Sequence, residues 1–385
     1  MNGLYVTSVD VANKSGYKDK ILGQIGALSK ITDHMYVLAS NGNEYFFGEY
    51  LDGSTDIIKS ITLSKKVRYV RGFINHLKLL SLLRTVIEEF DLCFTYVRRL
   101  LPLTRNVIDV LEQMKAKNIT VFYEYPTYPW QEEMGSNLKT FGRTSYYLEK
   151  KNYGRLLRAV DFVPAIINSD KLTRPEERQK FIKINNGVNV DRITVRSSIP
   201  HCGFNMIAVA HVQSWHGLDR VIEGLREYYS NEFQEQVNFW VVGGSEKNLS
   251  NLAQLTNKYN LSKYVRFCGV KVGKELDEMF NLADVAVGSL GYHRKSMFRE
   301  SSLKNREYCA RGIPFIIAST DDDFPRSYDF VHYVPHDDTP VNIREVLDFV
   351  KTTKQKDCFV EMREYAERNL TWDKKMAPVI ARISD

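Results

Sequence analysis

Apolar residues along this chain gather in short continuous runs, and the stretches between them repeat with a helical period. In the first half the runs are GLYVTSV (3–9), HMYVLAS (34–40), DLCFTYVR (91–98), ITVFYEY (119–125) and FVPAIINS (162–169). Between them, residues 17–30 place Ile21, Ile25 and Leu28 on one helical face, and NVIDVLEQMKAKN (106–118) has the same period. In the second half NMIAVAHV (205–212), VNFWVVGG (237–244), YVRFCGV (264–270), ADVAVGSL (283–290) and IPFIIAS (313–319) read as strands separated by helices. Strands that are apolar on both faces and alternate with helices predict parallel sheets covered on both sides. The series restarts near residue 200, after INNGVNVDRITVRSSIPHCG, a stretch of the composition that joins domains. The reading is therefore α/β, with two doubly wound domains. Such sheets bind ligands at the carboxyl ends of their strands, so the two domains are expected to face a central cleft.

Length and composition agree with this. A chain of 385 residues accommodates two cores, and 43% apolar with 26% charged residues is ordinary for a globular protein. No run approaches the roughly 18 apolar residues of a membrane span. The first residues lack a basic region followed by an apolar core, so no secretory signal is expected. The five cysteines are scattered, which argues for reduced thiols in a cytoplasm and against a disulfide frame or zinc site. No Asp-rich metal motif is present, and the reaction expected is metal-independent.

Charge is uneven. Residues 1–199 hold 29 Lys and Arg against 21 Asp and Glu, whereas the remainder is slightly acidic. The basic segments KKVRYVRGFINHLKLLSLLRTV (65–86) and YVRRLLPLTRN (96–106) alternate cations with bulky apolar residues. They suit either a helix with a core face and a solvated basic face, or the surface of an anionic membrane. No nucleic-acid motif accompanies them, so nucleic acid is not expected as a partner.

The stretch MFRESSLKNREYCARGIPFII (297–317) poses an electrostatic question. Ser301 or Ser302 can cap a helix that runs to about Arg311 and stops at Gly312. Lys304 and Arg306 then sit near a helix start that is already positive, where cations are disfavoured. An anion bound there would resolve the conflict.

These residues resemble a family. AVAHVQSWHGLDRVIEGL (208–225), VNFWVVGGS (237–245), VRFCGVKVGKELDEMFNLADVAVGSL (265–290) and SLKNREYCARGIPFI (302–316) are similar, in order, to the nucleotide-sugar half of GT-B glycosyltransferases, close to glycosyltransferase family 4. NKSGYKDKILGQIGALSK (13–30) resembles the family's Gly loop and first helix, and FYEYPTYPWQEE (122–133) the Glu-x-Pro-Thr-Tyr-Pro segment of a bacterial polysaccharide branch. The resemblance implies an acceptor domain at 1–199, a nucleotide-sugar domain at 200–364, and terminal helices at 365–385 crossing back, anchored by Trp372.

It also implies chemistry: a retaining transfer of a sugar from a UDP- or GDP-sugar to a hydroxyl of a glycan or polyprenyl-linked acceptor. The setting implied is bacterial surface polysaccharide synthesis on the inner face of the membrane. The helix beginning at Leu303 would meet the donor diphosphate, with backbone donors at Ser301, Ser302 and Leu303, Lys304 as counter-ion, and Glu307 on the ribose hydroxyls. Gly16 and Gly244 would let the backbone approach the donor, with Lys18 or Lys20 near the first; a plain turn glycine is the competing reading of Gly16. Glu124 is a candidate catalytic group on the acceptor side, alongside Tyr125, Tyr128 and Trp130, whose rings could pack on sugar or lipid or simply stiffen a loop. Three departures stand out. Arg299 occupies the place of the family's first glutamate, with Glu300 one residue late. His211 and His216 replace two phosphate-gripping cations, and Arg294 and Lys295 are expected to supply the missing charge. The alternative function is a non-catalytic subunit that binds acceptor or stabilises an active partner.

Overall fold

Two sheets organise the chain in the computed structural model, which describes all residues except 13–15, 66–67, 132–139, 168–174, 232–234, 356–357 and 385. The chain divides into one unit of Met1–Gly187 with Trp372–Asp385, and a second of Val188–Thr371.

In the first unit the strands are β1 (Asn2–Asp10), β2 (His34–Ser40), β3 (Glu44–Leu51), β4 (Ser54–Thr62), β5 (Phe94–Arg98), β6 (Thr120–Tyr128), β7 (Val163–Ile167) and β8 (Phe181–Lys183). Its helices are α1 (Gly16–Ser29), α2 (Arg68–Glu89), α3 (Arg105–Ala116), α4 (Thr140–Ala159) and the short α5 (Pro175–Lys180). The sheet order is β4-β3-β2-β1-β5-β6-β7-β8. β2 to β8 through β1 are parallel, but β3 and β4 add an antiparallel edge, so the sheet is mixed where a purely parallel one was expected. The Asp52-Gly53 turn between two alternating runs is the hairpin signal in the sequence. β6 also runs further than expected, to Tyr128, because a register shift between Tyr125 and Tyr128 takes Pro126 out of the ladder.

In the second unit the strands are β9 (Phe204–Val209), β10 (Val237–Val242), β11 (Val265–Gly269), β12 (Val285–Val287), β13 (Arg299–Glu300), β14 (Phe315–Ile317), β15 (Thr320–Asp321) and β16 (Val331–Tyr333). The helices are α6 (Asp219–Ser230), α7 (Glu246–Lys258), α8 (Lys274–Asn281), α9 (Leu303–Arg311), α10 (Ile343–Gln355) and α11 (Cys358–Tyr365), and then α12 (Trp372–Ser384), which returns to the first unit. The main sheet is parallel, in the order β11-β10-β9-β12-β14-β16. This is the doubly wound order, with its reversal between β9 and β12. β13 and β15 form a separate two-stranded piece.

The domain divides expected at 199 and 364 both fall inside the second unit. Val188 and Val190 belong to its core with Tyr308, Met362, Ala366 and Leu370. Arg196 donates to the carbonyls of Gly312 and Ala283, so the apparent linker is pinned down. The chain leaves at Thr371. Trp372 is buried against α1 of the first unit, where a methyl group added at Gly23 would lie 2.1 Å from its ring. Gly23 is glycine because the indole occupies its side-chain space.

Candidate functional site

The strand order reverses between β9 and β12, the point at which doubly wound sheets bind their ligands beyond the carboxyl ends of the strands, and the loops that follow these strands are locked together there. Leu290 and Gly291, after β12, donate to the carbonyls of His216 and Trp215, after β9. At the end of β10, Gly243 and Gly244 have φ of +97° and +81°, and a Cβ at Gly243 would lie 2.3 Å from the carbonyl oxygen of Ala210. Only glycine allows that approach.

α9 is tied to β12 at this reversal. Ser302 is its N-cap in extended conformation, but its hydroxyl makes no capping hydrogen bond, which leaves the first-turn N–H groups of Lys304 and Asn305 without that partner. Ser301 is buried immediately before it. Gly312 closes the helix in the left-handed conformation the sequence called for. Tyr308 ties α9 to the sheet by donating to the Val287 carbonyl.

The two cations near the helix start have different fates. Arg306 is fully buried and already has its anion: it makes two hydrogen bonds to Asp321, at 2.5 and 2.8 Å, and a further bond to Asp323. Arg299 pairs with Asp322 at 2.6 Å. The Asp-Asp-Asp run at 321–323 is thus consumed by arginines of the same unit, and that run is the sequence signal for it. Lys304 is half-buried and forms no hydrogen bond or ion pair among the described residues. Desolvation lowers its ammonium to about 8, against the pull of Glu300 and Glu307. A half-stripped cation beside open N–H groups is an arrangement that an anion would stabilise.

Glu300, one place after Arg299, turns inward. It is 5% exposed, and neither carboxylate oxygen has a hydrogen-bond partner. Burial and the charge of Asp321 push its pKa well up, opposed by Arg306 and Lys304. Glu307 is half-buried and bonded to Arg311 at 2.8 Å, one helical turn on.

The histidines differ from each other as well. His211 is exposed, whereas His216 is buried and its Nδ1 accepts the N–H of Gln213. That bond places the ring's proton on Nε2. Desolvation, with the nearby charges of Lys304, His211 and Lys295, lowers its pKa to about 2. His216 is therefore a neutral donor, not a cation. Arg294 does not supply free charge in its place: it is bracketed by Asp219 and Asp338, each at 2.6 Å. Lys295 lies 3.3 Å above the Trp215 ring.

In the first unit the acceptor-side expectations meet a closed core. Glu124 is fully buried, paired with Lys20 at 2.8 Å and Arg98 at 3.4 Å, and accepts from Gln24 at 3.2 Å. Burial alone would raise its pKa, but the two cations and these bonds hold it below the usual carboxylate range. A carboxylate so engaged is a structural counter-ion, which corrects its reading as a reactive group. Tyr125, Tyr128 and Trp130 are likewise core residues. The hydroxyl of Tyr125 donates to Glu149, Tyr128 bonds Tyr153, and Arg99 lies 5.9 Å from the Trp130 ring. Their faces are packed by protein. The same partners explain Arg98 and Arg99, which the sequence placed on a basic surface and which are buried against Glu124 and Glu149. Lys18 is half-buried and Gly16 opens α1, while the loop before it, residues 13–15, lies outside the described residues.

Among the described residues no group of three or more His, Cys, Asp or Glu is placed to hold a metal ion, and no helix is long and apolar enough to cross a membrane.

No family model and no curated protein matches the chain. Solved structures do. A sucrose-phosphate synthase from Thermosynechococcus elongatus is 14% identical over 100% of this chain and 99% of its own, with a TM-score of 0.68. A glycosyltransferase from Rickettsia africae is 13% identical over 100% of this chain and 97% of its own, with a TM-score of 0.66. HepE of Anabaena, solved in complex with UDP, is 14% identical over 99% of this chain and all of its own, with a TM-score of 0.62. With two Rossmann-like units matched end to end in this way, the chain has the GT-B fold of glycosyltransferases.

Proposed function

We propose that the protein is a retaining glycosyltransferase, similar to family 4, that moves a sugar from a nucleoside-diphosphate sugar to a hydroxyl of a glycan or lipid-linked acceptor in bacterial surface polysaccharide synthesis. The observation that carries this reading is Lys304: a half-buried lysine, paired with nothing among the described residues, at an uncapped helix start near the strand-order reversal of a doubly wound sheet. A diphosphate fits that position. It accepts from the N–H groups of Leu303 and Lys304, and its charge restores the lysine's.

As the glycosidic bond of the donor breaks, negative charge grows on the departing diphosphate. Lys304 and the first turn of α9 are fixed in advance to stabilise it. The Nε2 proton of His216 adds a neutral donor whose tautomer the Gln213 N–H has already selected. Glu307 keeps a carboxylate oxygen for a ribose diol while the other bonds Arg311. The donor phosphate is the acceptor for the incoming hydroxyl's proton, so no protein base is assigned. HepE was solved with UDP, and a UDP-sugar is the first donor to try.

A thermal-shift screen of UDP, GDP, ADP, CMP and their sugars tests the reading. A ligand at 100 times its Kd should add about 2.7 kcal/mol of stability. Release of nucleoside diphosphate that depends on added acceptor establishes transfer. Arg299, paired with Asp322 where the family has its first glutamate, is the observation behind the alternative of a non-catalytic subunit. Binding without turnover over a panel of acceptors would favour it.

A further inference from the structure

The second unit has a cavity of about 270 Å³ under the amino ends of β9 and β12. The donor reading uses the opposite ends of these strands, about 17 Å away along the six residues of β9. One wall is the stretch that precedes β9, which is fixed to the unit. The N–H of Ser197 bonds the Asn281 side chain at 2.8 Å, and that of Ile199 bonds the Asn281 carbonyl at 3.0 Å. The other wall is the second half of α10. Ile199, Phe204, Leu347 and Val350 make part of the lining apolar.

Five titratable side chains line the cavity, and three of them are engaged with one another. Asp284, only 5% exposed, pairs with Lys354 at 2.7 Å, accepts the N–H of Asn205 at 2.9 Å and has His201 Nε2 3.4 Å away. His201 Nδ1 accepts from the Asn205 amide at 3.2 Å, and that amide is itself oriented by Asn238 and the Leu282 carbonyl. Two charges remain. Lys351, one turn before Lys354, and Glu235, just before β10, make no side-chain hydrogen bond or ion pair among the described residues, with each other or with anything else.

We propose that this cavity binds a small zwitterion of the α-amino acid class, with its carboxylate on Lys351, its ammonium on Glu235 and an apolar side chain against Ile199, Phe204 and Val350. One unengaged cation and one unengaged anion in the same cavity complement a ligand that carries one charge of each sign. A phosphate ester would meet Glu235 as a like charge, which selects against it. The volume lies just under the roughly 300–1,000 Å³ of sites for drug-sized ligands, so an amino acid fits and a nucleotide sugar does not. The proposal uses no residue of the donor reading, and its failure leaves that reading untouched.

Calorimetric titration of the full chain tests it. Leucine, valine and methionine are the zwitterions; leucinamide lacks the carboxylate, and 4-methylpentanoate lacks the ammonium. Saturable binding of a zwitterion is expected, with leucinamide and 4-methylpentanoate each weaker than leucine by roughly tenfold, about 1.4 kcal/mol. Lys351→Gln should bring leucine down to leucinamide and erase the preference between those two. Glu235→Gln should erase the preference for leucine over 4-methylpentanoate. The thermal midpoint should stay where it is in both variants, since neither side chain has a partner to lose. No saturable binding of any of the three amino acids would overturn the proposal, as would equal binding of leucine and its two analogues. So would binding that either substitution leaves unchanged, displacement of leucine by UDP, or tighter binding of glucose 6-phosphate than of leucine.

Discussion

The half-desolvated lysine at the start of α9 gives the donor site a pH signature. In the protein alone Lys304 titrates at about 8, lowered chiefly by desolvation. A bound diphosphate favours the ammonium and lifts the pKa toward the ordinary lysine value of about 10.4. The complex therefore binds more protons than the free protein at alkaline pH, and nucleotide affinity must fall as pH rises through the lysine's pKa in the free protein. With the complex titrating above 10, Kd rises about tenfold between about pH 7 and about pH 9, close to 1.4 kcal/mol. Below about pH 7 this dependence vanishes, because both states are protonated. Calorimetric titration with the nucleotide sugar across this range measures it, and buffers of different ionisation enthalpy report the proton taken up. Lys304→Met should remove the slope and weaken binding at neutral pH by about 1.5–3 kcal/mol, the range for a hydrogen bond to a charged group. A wild-type Kd that stays flat up to about pH 9, or a slope that survives in Lys304→Met, would show that the diphosphate sits elsewhere.

Further substitutions probe the frame around the sites. Arg306→Met leaves Asp321 and Asp323 buried without their cation and should cost about 3–5 kcal/mol in denaturant unfolding. If the cost is under 1 kcal/mol, the pairing described here is wrong. Glu124→Gln strands Lys20 and Arg98 in the first core. Because Glu124 is held below its unfolded pKa, its contribution is present above the ordinary carboxylate value and lost as pH falls through the folded one. The substitution should thus destabilise at neutral pH and flatten the acid limb of the stability profile, read from urea midpoints. Trp372→Ala removes the indole from between Gly23 and Gly187 and should cost about 3–5 kcal/mol, while Gly23→Ala, which collides with that ring, should cost about 1–3 kcal/mol.

Much of the second unit was legible from period and punctuation. The apolar runs at 205–212, 237–244, 283–290 and 313–319 each contain a strand, and the serine-to-glycine bracket around 303–311 is a helix with the expected stop. Local pattern sufficed there because each element is short and bounded by its own turn residues. Partnership was not legible. Nothing local says that Arg306 faces inward to Asp321, that Arg294 meets Asp219 and Asp338, or that Glu124 lies between Lys20 and Arg98, since the partners stand 15 to 104 positions apart in the chain. A charge in a sequence is a candidate ligand-binder until its counter-ion is located, and these three turned out to have theirs. The rings at 125–130 were misplaced for a related reason: aromatic density marks a sugar platform and a core equally well, and burial decides.

The return of the last helix has a bearing on how the protein is made. During synthesis, residues 1–187 leave the ribosome long before Trp372 exists, so the groove over Gly23 stays vacant while the whole second unit is translated and folds. Maturation of the amino-terminal half is thereby deferred until Trp372 and the helix it opens have emerged. A nascent polypeptide stalled before that tryptophan would present a finished second lobe beside an unsealed first one, a ready target for chaperones and proteases.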